Sequence, residues 1–432
     1  MKIVHVGWGY PPTWLGCGPV IYVHTLAMAQ RQAGHDALVL CASDQQTDKR
    51  PQYDPTVIGI DGVPYIQLQN RPVHMHDFWN PAREVSDPAC RLAIDHVLRE
   101  TAPDVIHIHN LVGLSFSLVD AAHAAGTRIV MSLHNYFPLC SRDDLFFADA
   151  ERCNGPCHRS CSRCLGTMIG DSCYQDRHRA AIEMLNSCDA LLPVSHRVSE
   201  IYEAHGVRRD LLSVERIGSA TASQLWEACG SARVRDASPG TTPLRLVFFG
   251  ALSPRKGVMT FLQAVRLLAE PERVEVHILG AAGPSDTEAI TRALQTFSPR
   301  HAARLTFHGS FDQSALAGVL GTMDLAVLTP RWEDNGPQTV LEALAAGLPV
   351  IGTRVGGIPD LIDDGRDGIL VEEGDPPALA AVIDRLARAP EILARLRANI
   401  EPPVTLEQHR HALDAYYAPA GAASRTPERA RA

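Results

Sequence analysis

Residues Arg331 to Gly357 read RWEDNGPQTVLEALAAGLPVIGTRVGG. Acidic side chains stand at Asp334 and Glu342, eight positions apart, and Gly336-Pro337 follows the first of them. A helical run covers Gln338 to Ala346, Ala346-Gly347 reads as its C-cap, and Pro349-Val350-Ile351-Gly352 as a buried parallel strand. About two turns of helix separate the second carboxylate from the loop carboxylate, so both can face one ligand. The stretch is therefore loop, helix and strand, with its acidic groups aimed into a cleft.

Upstream of it runs a βα series beginning at Leu244. Strand Arg245 to Phe249, loop Gly250 to Gly257, helix Val258 to Ala269 and strand Val274 to Leu279 lead to strands at Leu305 to His308 and Leu325 to Leu328. Downstream, a helix spans Pro377 to Ala389. An earlier series opens the chain: strand Ile3 to Gly7, a glycine loop Tyr10 to Gly18, helix Val20 to Gln32 and strand Ala37 to Cys41. Val57 to Ala82 gives only a weak signal, with loop chemistry and short strands. Helix Pro88 to Thr101, strands at Asp104 to Asn110 and Arg128 to Leu133, helix His178 to Asn186, strand Ala190 to Val194 and a Ser195-capped helix to Ala204 complete it. Two successive series predict an α/β chain of two doubly wound, Rossmann-like domains facing each other. The expected bounds are 1–219 with a cysteine-rich insert at 140–173, a linker at 220–243 rich in Ala, Ser, Thr, Gly and Pro, and 244–402. A cross-over helix at 403–418 and a disordered tail at 419–432 follow.

The length of 432 residues suits two domains, and 45% apolar with 21% charged residues is a globular composition. A net charge of −9 argues against nucleic acid as partner. No apolar run reaches the roughly 18 residues that span a bilayer, and Met1-Lys2-Ile3-Val4 enters a strand directly, so cytoplasmic residence is expected. Eleven cysteines are many for that compartment. Six of them fall between Cys140 and Cys173, which points to metal or redox chemistry before disulfides.

Chemistry should gather at the carboxyl ends of the strands. His109, Asn110, His134 and Asn135 stand there in the first series, with His107 read as a histidine satisfying backbone groups. Gly16 and Gly18 lie between a strand and a helix, where free N–H groups favour an anion. In the second series, Ser253-Pro254-Arg255-Lys256-Gly257 sets two cations beside a helix N-terminus, which suits a diphosphate.

These motifs together resemble the retaining nucleotide-sugar glycosyltransferases of family 4, with the GT-B fold. The resemblance rests on the Tyr10 to Gly18 loop, Pro103-Asp104-Val105-Ile106-His107-Ile108-His109, Ser253 to Gly257, and Asp334 to Gly347 with Gly356-Gly357-Ile358-Pro359-Asp360, and continues into Asp364-Gly365 and Asp367 to Val371. It implies that Glu342 binds the nucleotide ribose, that Lys256 holds the diphosphate, and that Gly16 and Gly18 form the loop facing it. Asp334 stands where the family usually has glutamate, at the sugar-facing position, with Glu333 as a stand-in; Asn335 and Gly336 complete that wall. Ala251 replaces a common family arginine, so Arg255 takes part of its charge. His134 matches the histidine that binds a donor hydroxyl. The implied reaction moves a hexose or N-acetylhexosamine from a nucleotide diphosphate, a UDP-sugar by preference, to a small or lipid-linked acceptor with retention of configuration. A lipid-linked acceptor would add a peripheral membrane contact. No Asp-x-Asp motif for a donor-bound metal stands out, so transfer is expected without added divalent metal. Rival readings are a GT-B epimerase or phosphorylase and a non-catalytic nucleotide-sugar-binding protein.

Cys161-x2-Cys164 has knuckle spacing, and two more thiolates would complete a structural zinc site. The family's comparable inserts point to Cys140 and Cys153 as the other two, with Cys157 and Cys173 as replacements; an iron-sulfur cluster and unliganded thiols are the alternatives.

Overall fold

The computed structural model describes residues 1–11, 18–43, 52–70, 80–147, 151–229 and 243–418. The first sheet has seven strands: β1 (Lys2–Gly7), β2 (Asp36–Ser43), β3 (Pro55–Ile60), β4 (Val63–Gln69), β5 (Val105–Ile108), β6 (Arg128–Leu133) and β7 (Ala190–Pro193), ordered β3-β4-β2-β1-β5-β6-β7. All neighbours are parallel except the β3–β4 hairpin. Its turn places both Asp61 and Gly62 at positive φ, the conformation that matches strand twist in a two-residue connection. β5 and β7 are buried at every residue, as parallel strands covered on both faces require.

The second sheet contains β8 (Leu244–Phe249), β9 (Val274–Leu279), β10 (Leu305–Gly309), β11 (Leu325–Leu328), β12 (Val350–Thr353) and β13 (Gly368–Val371), in the order β10-β9-β8-β11-β12-β13. Every pairing in it is parallel. In both sheets the winding reverses beside the first strand, with β2 and β5 flanking β1, and β9 and β11 flanking β8. Crevices open at such reversals, at the carboxyl ends of the strands.

Helices that pack beside these crevices or tie the domains are α1 (Gly18–Gln32), α2 (Asp171–Ser187), α3 (His196–Ala204), α4 (Ala220–Ala228), α5 (Val258–Arg266), α6 (Gln338–Ala345) and α7 (Leu406–Tyr417). The linker expected at 220–243 is corrected in its first part. The Ser219 side chain accepts from the Ala222 N–H and starts α4 there. Ala222, Leu225 and Cys229 then join the apolar core on one face of the second sheet. Small residues that read as linker are here a helix packing closely on its neighbours. The rest of that stretch and the tail at 419–432 lie outside the described residues. Helix α2 begins seven residues earlier than its sequence signal at His178, so Cys173 sits in its first turn.

Helix α7 starts at a capping box formed by Thr405 and Gln408 and returns to the first domain. Leu413 and Tyr417 enter that domain's core, and Arg128 Nε donates to the Tyr416 carbonyl at 2.6 Å. No helix of the described residues is long and apolar enough to cross a membrane. Leu413 is fully buried, so Leu413→Ala is expected to cost the N-terminal domain about 2–5 kcal/mol, read as a lower urea midpoint with fluorescence monitoring that domain.

Candidate active site between the two domains

The loop after β8 brings the cations to the crevice of the second sheet. Pro254–Lys256 makes one 3-10 turn and Gly257 ends it at φ 78°. A Cβ on Gly257 would sit 1.6 Å from the Thr329 carbonyl oxygen, so only glycine lets this loop lie against the end of β11. Lys256 Nζ donates to Asp334 Oδ2 at 2.6 Å, and the Trp332 indole N–H donates to the same oxygen at 3.1 Å. Arg255 and Lys256 both stand over the Trp332 ring, at 5.2 and 5.3 Å from its centre. Asp334 is held from behind by Gly356-Gly357: the Gly357 N–H donates to its carbonyl at 2.6 Å, and a Cβ on Gly356 would fall 2.4 Å from its nitrogen.

The two domains meet at this loop. The Asn335 amide donates to the His134 carbonyl at 2.6 Å, and a Cβ on Gly336 would touch Val194 at 3.5 Å. Glu333 is not free to replace Asp334. Arg197 on α3 binds it through two bonds of 3.0 Å, and Arg152 of the insert adds a third at 3.3 Å. The first turns of α1 and α6 face each other: a Cβ on Gly18 would lie 3.8 Å from the Gln338 side chain. Gly16 lies outside the described residues. Three buried side-chain atoms around the cleft, Ser253 Oγ, Asn335 Oδ1 and Gln338 Nε2, have no hydrogen-bond partner among the described residues.

Residues 17–214 match the family model described as Glycosyltransferase Family 4, and residues 243–389 match Glycosyl transferases group 1. The chain belongs to the family 4 glycosyltransferases. Glycogen synthase of Mycobacterium tuberculosis is 26% identical over 400 residues, covering 89% of this chain and 85% of that protein. D-inositol 3-phosphate glycosyltransferase of Streptomyces scabiei is 34% identical over 160 residues, 35% of each chain. The crystal structure of Anabaena Alr3699/HepE in complex with UDP superposes with a TM-score of 0.69 at 17% identity, covering 96% of this chain and 98% of that one. The two facing sheets are thus the GT-B fold.

In this glycosyltransferase the cysteine-rich insert reaches across to the second domain. Asp144 pairs with Arg255 at 3.5 Å, and Arg152 with Glu373 at 3.3 Å. The buried Arg177 of α2 anchors the insert's entry: it pairs with Glu84 and donates to the carbonyls of Phe137 and Pro138 at 2.8 and 3.1 Å. Cys140, Cys153, Cys161 and Cys164 line one cavity of about 20 Å³. Cys157 and Cys173 are exposed and do not line it. The quartet surrounds the cavity without meeting: among the described residues only His5, His107 and His109 gather three ligand atoms within 4.8 Å.

Sequence reasoning missed several residues of the glycosyltransferase cleft. Arg197, Arg152, Trp332 and Gln338 carry no motif; Arg197 and Arg152 meet Glu333, and Trp332 meets Arg255 and Lys256, from far away in the chain. His107, expected to satisfy backbone groups, instead uses both ring nitrogens on side chains, Tyr417 OH at 2.7 Å and Ser132 Oγ at 2.8 Å.

Glu342 differs from the other acidic groups here. It is half-buried on α6, and its carboxylate makes no hydrogen bond or ion pair among the described residues. Burial pushes its carboxyl from the ordinary 4.5 up to about 7. Folding therefore favours the protonated form, and that contribution is full below the ordinary value and lost as pH rises through about 7. Glutamine is neutral throughout. Glu342→Gln should raise the thermal midpoint at pH above about 7 and leave it unchanged near 4.5, as calorimetry across pH would read.

Proposed function

We propose that the chain transfers a hexose or N-acetylhexosamine from a nucleotide diphosphate sugar, a UDP-sugar by preference, to a small or lipid-linked acceptor with retention of configuration. The observation that carries the reading is the unpaired Glu342 carboxylate in the domain whose loop presents Lys256 and Arg255. Carboxylates suit ribose hydroxyls, and cations at a helix N-terminus suit a diphosphate. The UDP in the Anabaena structure and the names of the relatives, a glycogen synthase and a D-inositol 3-phosphate glycosyltransferase, agree with it.

In this mechanism Glu342 accepts from the ribose hydroxyls, and the diphosphate lies against the opposed first turns of α1 and α6. Lys256 has three N–H donors, so it can keep Asp334 and still reach a phosphate oxygen. As the sugar–phosphate bond lengthens, charge grows on the diphosphate, and Lys256 with Arg255 stabilises that charge most in the transition state. Asp334 lies beside Lys256 and stabilises the positive charge developing on the sugar. The leaving phosphate takes the acceptor proton on the face it departs from, which retains configuration.

Lys256→Ala is expected to lower kcat about 10²- to 10³-fold, and Glu342→Ala to lower kcat/KM at least tenfold with the fold intact. Normal turnover in the Glu342 variant would count against the assignment. Because ribose hydroxyls bind the ionised carboxylate, donor affinity should be full above pH of about 7 and fall below it, a dependence absent from Glu342→Ala. Charge neutralisation by side chains predicts transfer that survives EDTA.

The cysteine quartet is assigned to a structural zinc. Four sulfur donors fit a closed tetrahedral site, in which Zn–S distances are about 2.3 Å. Burial pushes the Cys140 and Cys161 thiols up to about 12, and a dication would reverse that. Elemental analysis should find one zinc per chain, lost in Cys161→Ser/Cys164→Ser; iron with visible absorption would replace this assignment with a cluster.

A further inference from the structure

A line of hydrogen bonds runs beneath the cleft from α1 to His134. Gln30 Oε1 lies 2.6 Å from His5 Nε2, His5 Nδ1 2.9 Å from His109 Nε2, and His109 Nδ1 3.0 Å from His134 Nε2. A second arm leaves the Gln30 amide nitrogen for Tyr417 OH at 3.2 Å, and the hydroxyl continues to His107. His5 and His107 are register partners on β1 and β5, and His109 extends the row by two residues. Although His5, His107 and His109 come within ligand distance of one another, all six of their ring nitrogens are engaged in these bonds. The group is a hydrogen-bonded line rather than a ligand set.

The line has a direction. A neutral imidazole offers one N–H and one lone pair, so a row of neutral rings must donate all one way. Burial keeps these rings neutral: His5 is pushed down to about 4, His134 to about 3, and His109 well below the ordinary histidine value. The sense is set at Gln30. A separation of 2.6 Å fits N–H···O and is too short for a bond between two nitrogens, so the glutamine oxygen faces His5 and its nitrogen donates to Tyr417. His5 then donates from Nε2 and accepts at Nδ1, His109 does the same, and His134 donates from Nε2. The nitrogen left over is His134 Nδ1, which has a lone pair and no partner among the described residues. His134 sits at the cleft, where its carbonyl accepts from Asn335 of the facing domain.

We propose that Gln30, His5 and His109 are positioning residues that hold His134 in one tautomer, with Nδ1 as a fixed acceptor for a hydroxyl of the donor sugar. The identity of that ligand rests on the function proposed above; the tautomer does not. The C-terminal helix takes part from a distance, because Tyr417 orients the Gln30 amide on which the sense of the line depends. An acceptor of this kind takes a hydroxyl hydrogen, and gains nothing from a group that can only accept.

Nitrogen NMR of the full chain labelled in its imidazole rings, assigned with His134→Gln, tests the tautomer without any substrate. The wild-type protein should show His134 protonated at Nε2 and bare at Nδ1. Gln30→Leu should give a mixture of tautomers, and Gln30→Glu, which keeps an oxygen facing His5, should restore the single form. Protonation at Nδ1 in the wild type, or one unchanged tautomer in Gln30→Leu, overturns the proposal. Should Gln30→Leu fail to fold, the wild-type spectrum decides alone. A second measurement compares affinities for UDP-glucose and its monodeoxy and monodeoxyfluoro analogues. At one ring position both analogues should bind equally weakly, and the preference for the hydroxyl should fall in Gln30→Leu by the fraction of His134 that the spectrum finds protonated at Nδ1, about twofold for an even mixture. Tighter binding of the fluoro analogue than of the deoxy analogue at that position overturns it. Failure of every UDP-sugar to bind, with the expected NMR result, would instead remove the donor reading and leave the tautomer standing.

Discussion

A parallel sheet that winds first to one side and then to the other must leave its strand ends uncovered where the direction changes. This chain does so twice, beside β1 and beside β8, and the two openings face each other. Nearly everything of functional interest follows from that constraint. The Lys256 loop leaves β8, the Asp334 loop leaves β11, and His109 and His134 follow β5 and β6. Backbone contact between the loops then demands glycine where no Cβ fits, at Gly257 against Thr329 and at Gly356 against Asp334.

Charge in the cleft is arranged unequally. Glu333 is tied to two arginines that cross from the other domain, and Asp334 is tied to Lys256. Glu342 is left without a partner and is carried towards neutrality by its surroundings. A carboxylate kept half-buried and unpaired costs stability, and such a cost is commonly retained at sites that bind a ligand. Glu333 works instead as a fastening between the domains, a role that its place next to Asp334 in the sequence does not reveal.

The insert and the C-terminal helix tie the same region from opposite sides. Arg152 and Asp144 reach Glu373 and Arg255 of the second domain from the insert, while Tyr417 reaches Gln30. Both segments look peripheral in the chain, one as a cysteine-rich interruption and the other as a terminal helix. The insert meets Arg255 at the cleft itself, and Tyr417 meets Gln30, three hydrogen bonds from His134. Domain contact and site geometry are therefore coupled through short, directional bonds rather than through apolar area alone.

Local pattern was enough to read the alternation of strands and helices, the division into two doubly wound domains, the loops with Lys256 and Asp334, and the helix with Glu342. Apolar runs, helix caps and glycine positions act over a few residues, so they are visible in the chain itself. The same logic failed at Ala220 to Ala228, where small residues read as linker and packing against a neighbouring helix made them helical. It also failed at His107. His107 was expected to satisfy backbone groups, but its partners and those of His109 are side chains from β1, β6 and α7, far away in sequence. Which nitrogen carries a proton, which carboxylate stays unpaired and which cysteines share a cavity depend on neighbours that only tertiary folding assembles. Hydrogen-bond direction and desolvation are properties of that assembled surrounding, and no single segment contains them.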